Sequence, residues 1–190
     1  MKIGILAIQG DFEAHRKRLE ELGAETVLVK TAADLENLDG LVLPGGESTT
    51  HMKLLTEEGL FDRIVERART GMAVFGTCAG AILLAKEVKN PAQPSLALLD
   101  ITVVRNAYGR QLESCVTKQT ADLTGRPLEM VFIRAPVIER VGSDVQVLAR
   151  RDGQPVLVRQ GRILAATFHP ELSSDPAVHE YFLKMVRDGR

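Results

Sequence analysis

The chain has 190 residues, with 24 Lys and Arg against 25 Asp and Glu, a formal charge of −1. That balance excludes an electrostatic nucleic-acid binder, which needs a basic surplus. A composition of 45% hydrophobic and 26% charged residues excludes disorder, and the length suits a single domain over residues 1–190. Two cysteines, Cys78 and Cys115, are too few for a disulfide framework. No apolar run suits a secretory leader or a membrane span, so a soluble, cytoplasmic protein is expected.

The first half alternates strand and helix signals. Lys2 to Ile8 is nearly continuous in apolar residues, as a strand covered on both faces should be. Asp11 is placed to cap a helix with inward positions Phe12, His15, Leu19 and Leu22, closed by Gly23. Glu25 to Val29 is a second strand, a short helix starts at Thr31 or Ala32, and Leu41 to Leu43 is a third strand ended by Pro44-Gly45-Gly46. Helical sequence runs from Ser48 to Arg69 with a break near Gly59. A strand from Met72 to Phe75 and a helix from Ala79 to Ala85 follow. Such alternation predicts a three-layer α/β fold, with a mostly parallel central sheet and helices on both faces.

The second half changes character. After a loop from Asn90-Pro91 to Pro94-Ser95 come short β-like runs at Ile101 to Val104, Val131 to Ile133, Val145 to Ala149, Val156 to Val158 and Ile163 to Phe168. They are expected to be hairpins and antiparallel edge strands added to the same sheet. Asp175 and Pro176 open a final helix to about Arg187.

Three short motifs carry chemistry. Gly76-Thr77-Cys78-Ala79-Gly80 lies between a strand and a helix, the pattern of a nucleophile elbow with Cys in the central place. Small residues flank it because a Cβ two places away would clash, and the first helical turn favours a thiolate. The pentapeptide alone fits a buried structural cysteine equally well. In Thr167-Phe168-His169-Pro170-Glu171, Pro170 biases His169 towards extended backbone, where residues i and i+2 project to one side. Glu171 would then orient His169 as base to a thiol. Read alone, a chain reversal with a solvated Glu is the simpler account. The loop Leu43-Pro44-Gly45-Gly46-Glu47-Ser48-Thr49-Thr50 fits a phosphate cradle, an oxyanion hole completed by the Ala79 N–H, or a plain turn followed by an N-cap.

The other polar residues invite plainer readings. His15, His51 and His179 sit in predicted helices with no second ligand at useful spacing, and no Cys/His cluster suggests a metal. Cys115 reads as a bystander thiol in a β-like stretch. Arg105-Asn106-Ala107-Tyr108-Gly109-Arg110 places two guanidiniums around a turn, which suits a carboxylate or a partner.

Taken together, the chain resembles the class I (triad) glutamine amidotransferases of flavodoxin-like fold, and among them the glutaminase subunits of pyridoxal 5′-phosphate synthase. The blocks that carry this are Leu6-Ala7-Ile8-Gln9-Gly10-Asp11-Phe12, Pro44 to Thr50, Arg105 to Gln111, Phe132-Ile133-Arg134-Ala135-Pro136 and Thr167 to Leu172, in order over nearly the whole chain. The resemblance implies that L-glutamine is hydrolysed to glutamate and ammonia without a cofactor. Cys78 would attack the amide to form a glutamyl thioester, His169 would move the proton, and Glu171 would position His169. Gly46, Glu47, Ser48, Arg105, Ile133 and Arg134 would line the glutamine site, with Gly45, Gly46 and Ala79 forming the oxyanion hole. It also implies a partner, a (β/α)8-barrel synthase subunit in a dodecameric core, touched by Gln9, Gly10, Asp11 and Phe12. Ser114-Cys115-Val116 and the segment Lys118 to Arg126 depart from the family pattern. Rivals are another class I glutaminase subunit, a Cys hydrolase of similar fold, a catalytically silent amidotransferase-like subunit, and a flavodoxin-like module using Pro44 to Thr50 for FMN. Zero Trp and two Tyr leave few aromatics to sandwich a flavin.

Overall fold

The structure is a computed structural model that describes residues 1–106 and 114–189. The first half runs β1 (Lys2–Leu6), α1 (Phe12–Glu21), β2 (Glu25–Val29), a 3-10 turn (Ala32–Leu35), β3 (Gly40–Leu43), α2 (Ser48–Glu57), α3 (Leu60–Arg69), β4 (Ala73–Thr77) and α4 (Ala79–Leu84). The second half runs β5 (Ala85–Lys89), β6 (Leu99–Val104), β7 (Cys115–Thr120), β8 (Pro127–Phe132), β9 (Val137–Val141), β10 (Gln146–Arg151), β11 (Gln154–Gln160) and β12 (Ile163–Ala166). A 3-10 turn at Pro170–Leu172 then leads to α5 (Ala177–Asp188).

The central sheet has seven strands in the order β10-β11-β12-β4-β3-β1-β2. The five strands from β12 to β2 are parallel, and β11 and β10 extend them antiparallel at one edge. The buried central strands explain the continuous apolar runs. Successive residues of β4 face opposite cores, Val74 one and Ala73 and Phe75 the other. Met52 and Leu55 of α2, Leu60 and Ile64 of α3, and α4 pack on the first core. Leu19 of α1 and Val178, Phe182, Leu183 and Val186 of α5 pack on the second. Each such large side chain contributes about 1.5–3 kcal/mol when fully buried, and together they make the expected three layers.

Two details differ from the sequence reading. Of the second-half strands, β10, β11 and β12 join the central sheet, whereas β5, β6 and β9 form a separate three-stranded sheet and β7 and β8 a two-stranded ribbon. Alternating apolar residues specify that a face is buried but not which strand lies alongside, so pairing was open. Asp11 does occupy the N-cap place of α1, but its side chain makes no capping hydrogen bond. The break in the long helical run falls at Gly59, which takes φ 66° between α2 and α3.

Candidate active site

The carboxyl ends of β1, β3, β4 and β12 lie along one edge of the parallel sheet, where crossover loops gather in open α/β folds. Cys78 follows β4 there with φ 49° and ψ −104°. This is a sparsely populated conformation for a residue with a Cβ and costs on the order of 1–3 kcal/mol. It is held by the Cys78 N–H, which donates to the Ala166 carbonyl at the end of β12 across 2.8 Å. The flanking glycines are there for close approach. A Cβ on Gly76 would strike the Gly80 carbonyl group, and one on Gly80 would strike the Leu43 carbonyl oxygen on β3.

His169 is anchored by its own N–H, which donates to Val131 O at 2.8 Å. Its Nδ1 lies 2.7 Å from Glu171 Oε1, and the Cys78 side chain is near enough to act on its charge. The carboxylate only accepts, so Nδ1 carries the proton. Burial works against charge on this imidazole, but the bonds to Cys78 and Glu171 outweigh it and raise its pKa to about 10. Burial also works against the Glu171 carboxylate, yet the facing imidazoles of His15 and His169 keep its pKa below the usual range. The route to this pairing differs from the expected one. Pro170 to Leu172 form a 3-10 turn rather than extended chain, and Glu171 reaches back across it. The thiol also lies 3.9 Å from the Ile133 carbonyl, on the strand-end loop after β8.

The Pro-Gly-Gly loop faces this pair. A Cβ on Gly45 would press on the His169 ring, and Gly46 takes φ +147°, a conformation open to glycine. The loop is braced from β1. Glu47 N donates to Gln9 Oε1 at 3.1 Å, and His51 Nε2 donates to Gln9 O at 3.0 Å. Glu47 itself caps α2. Its carboxylate accepts from the Thr50 N–H at 2.7 Å and from the hydroxyls of Thr49 and Thr50. Burial opposes the charge, but these donors bring the Glu47 pKa down to about 2. The helix end that a phosphate would use is therefore filled by the chain's own carboxylate, which disfavours the FMN reading.

Between these pieces lies a cleft of about 450 Å³. Its walls include Gln9, Asp11, Gly45, Gly46, Glu47, Ser48, Cys78, Ala79, Arg105, Ile133, Arg134 and His169, all singled out in the sequence. Glu171 sits behind His169, buried at 6% exposure. Gly10 is exposed beside the Gly45 carbonyl, and Phe12 is half-buried against the second core. Arg105 Nη2 donates to Glu47 Oε1 at 3.0 Å, while its Nη1 is buried with no partner among the described residues. Arg134 is exposed, with φ 46°. Ala107 to Gln111, part of the arginine block, lie outside the described residues.

Sequence reasoning missed Ile82, Asn106 and Leu172 in the walls. It also took His15 and His179 as plain helix residues, whereas both are fully buried, His15 against Glu171 and His179 against His15. One signal was available: His15 stands on the inward stripe with Phe12 and Leu19, where a polar ring needs a partner. Cys115 is half-buried on β7 and packs against the second core.

A thiol bonded to an imidazole that a carboxylate holds from behind is suited to acyl transfer through a covalent thioester. On a flavodoxin-like sheet, that geometry defines a cysteine-dependent class of acyl-transfer enzymes. Residues 5–188 match the family described as the SNO glutamine amidotransferase family. A Koribacter versatilis protein named pyridoxal 5′-phosphate synthase subunit PdxT is 59% identical over 100% of this chain and 97% of its own length. A Thermotoga maritima protein of the same name is 52% identical over 98% of this chain and 100% of its own. A crystal structure described as a glutamine amidotransferase superposes with a TM-score of 0.91 at 49% identity, covering 97% of this chain and 98% of that one. The chain belongs to the SNO glutamine amidotransferase family.

Proposed function

We propose that this chain is the glutaminase subunit of a pyridoxal 5′-phosphate synthase, hydrolysing L-glutamine to L-glutamate and ammonia. The observation that carries this reading is the buried Cys78–His169–Glu171 line opening on the cleft, in a chain that matches subunits of that synthase end to end.

In the free enzyme His169, with its raised pKa, is protonated at neutral pH. Cys78 sulfur attacks the side-chain amide carbon of glutamine. The oxyanion is received by the Gly45-Gly46 loop and the Ala79 N–H, which, in the first turn of α4, has no acceptor within its helix. His169 passes its proton to the departing ammonia, leaving a glutamyl thioester. Water then attacks the thioester, His169 takes the water's proton, and glutamate leaves as sulfur is released. Glu171 keeps the imidazole oriented and balances its charge throughout.

Arg105 is the arginine best placed for the substrate α-carboxylate, since its buried Nη1 lacks a partner among the described residues and the exposed Arg134 has no such constraint. Glu47, Ser48, Gly46, Ile133 and Arg134 complete the glutamine site. The ammonia passes to a (β/α)8-barrel synthase subunit in a dodecameric core. Gln9, Gly10, Asp11 and Phe12 contact that subunit. Gln9 holds the Glu47 N–H, so docking there acts on the peptide at Gly46 and on the oxyanion hole. The setting is the cytoplasm; among the described residues, no helix is long and apolar enough to cross a membrane.

The test is ammonia release from glutamine with and without the synthase subunit. Release that depends on Cys78 and rises with the partner is expected. Full activity in Cys78→Ala would refute the mechanism.

A further inference from the structure

Behind the triad lies a buried polar cluster that the reaction just described does not use. His15 of α1, Thr77 at the end of β4 and His179 of α5 are each essentially without solvent exposure. His15 Nε2 lies 3.3 Å from Glu171 Oε2 and 3.1 Å from Thr77 Oγ1. His15 Nδ1 lies 3.0 Å from His179 Nε2. The Phe75 ring meets both imidazoles edge-on, at centroid distances of 6.1 and 5.8 Å.

Only one arrangement of protons fits these contacts. Burial lowers the pKa of His15 and of His179, so each ring is neutral and carries one N–H. Glu171 is ionised and only accepts, so a bare His15 Nε2 would set lone pair against lone pair; Nε2 therefore carries the proton. His15 Nδ1 is then an acceptor, and His179 Nε2 must donate to it. That leaves His179 Nδ1 as a bare lone pair, and Nδ1 is indeed the ring nitrogen of His179 that has no partner among the described residues. The two N–H groups run in series towards Thr77 Oγ1 and the Glu171 Oε2 beside it.

Glu171 needs such support. Its side chain is fully buried, it sits on a three-residue 3-10 turn, and Oε2 has no aligned hydrogen bond among the described residues. The His15 N–H, shared with Thr77, is the polar group facing that oxygen. Thr77 also adjoins the nucleophile, so one imidazole spans the carboxylate and the elbow.

We propose that His15 is a positioning residue of the triad: its Nε2–H, oriented by His179 and Thr77, holds Glu171 Oε2 so that Oε1 stays aligned on His169. The inference rests on the glutaminase reading. It differs from a core-filling role, because what matters is an N–H at the Nε2 place rather than a polar ring of the right volume.

The experiment compares His15→Gln with His15→Asn in the presence of the synthase subunit. Glutamine reaches the Nε2 place with an N–H; asparagine reaches only the Nδ1 place beside His179. His15→Asn is expected to lower kcat for ammonia release about ten- to hundred-fold, the range for a hydrogen bond to a charged group. KM for glutamine should stay unchanged, since His15 does not line the cleft. His15→Gln should retain kcat within a few-fold of wild type. Alkylation of Cys78 by a glutamine-analogue electrophile should follow the same order. Equal losses in the two variants, through misfolding or through catalysis, overturn the proposal, as does wild-type kcat in both. Wild-type protein that releases no ammonia with the partner would instead sink the glutaminase reading itself.

Discussion

Arg105 donates from Nη2 to Glu47 Oε1 across 3.0 Å, and this leaves Nη1 buried in the cleft wall without an acceptor among the described residues. A guanidinium fixed on one side and unsatisfied on the other is prepared for a carboxylate. Arg105→Gln is expected to raise KM for glutamine about ten- to hundred-fold, with a smaller change in kcat. Steady-state ammonia release against glutamine concentration measures both. An unchanged KM would remove Arg105 from the substrate site.

The second prediction concerns pH. His169 has its pKa raised to about 10, so it is protonated below that value and deprotonated above it. Departing ammonia needs the proton, so kcat should hold through neutral and mildly alkaline pH and fall as pH rises through about 10. A rate profile in buffers of constant ionic strength reads this directly. Loss of activity centred near the ordinary histidine value would contradict a raised His169 pKa.

The elbow has a mechanical requirement. A Cβ at residue 80 would meet the Leu43 carbonyl, a backbone atom in the middle of the sheet that cannot swing aside. Gly80→Ala should therefore destabilise the fold by about 1–3 kcal/mol, as overpacking does, and displace Cys78. Urea unfolding and thiol alkylation together check it. Full stability with full reactivity would show that α4 shifts freely.

Gln9 provides a test of the partner surface. Its side chain accepts the Glu47 N–H and its carbonyl accepts from His51. Gln9→Ala removes the first bond, and about three- to ten-fold of the partner-stimulated activity should be lost, the worth of one ordinary hydrogen bond. Activity without the synthase subunit should change less. Equal effects in both conditions would mean that Gln9 braces the loop without sensing the partner.

How much of this was readable beforehand varies by element. β2 at Glu25–Val29 and the helices on either side of Gly59 matched their sequence signals closely, because local periodicity and glycine punctuation act over a few residues. β5 and β9 were not anticipated, and of β7 only a β-like stretch around Cys115 was. Ala85–Lys89 continues a helical pattern, and the Cys115–Thr120 strand is half polar because one side faces solvent. Their partners lie far along the chain, so nothing local announces the pairing.

The residue types of the site were determined by the sequence alone. Cys78 between glycines, His169-Pro170-Glu171 and the Pro44-Gly45-Gly46 loop point to thiol chemistry only when taken together, since each alone also fits a plainer local reading. Tertiary structure decided which of them meet and what stands behind them. The near-neutral chain has four histidines. Three looked equivalent as helix residues, and only the packing of α1 and α5 on the sheet set His15 and His179 behind Glu171 while His51 went under the Gln9 loop. A histidine's charge and tautomer follow from burial and the atom it faces, and both are properties of the assembled core.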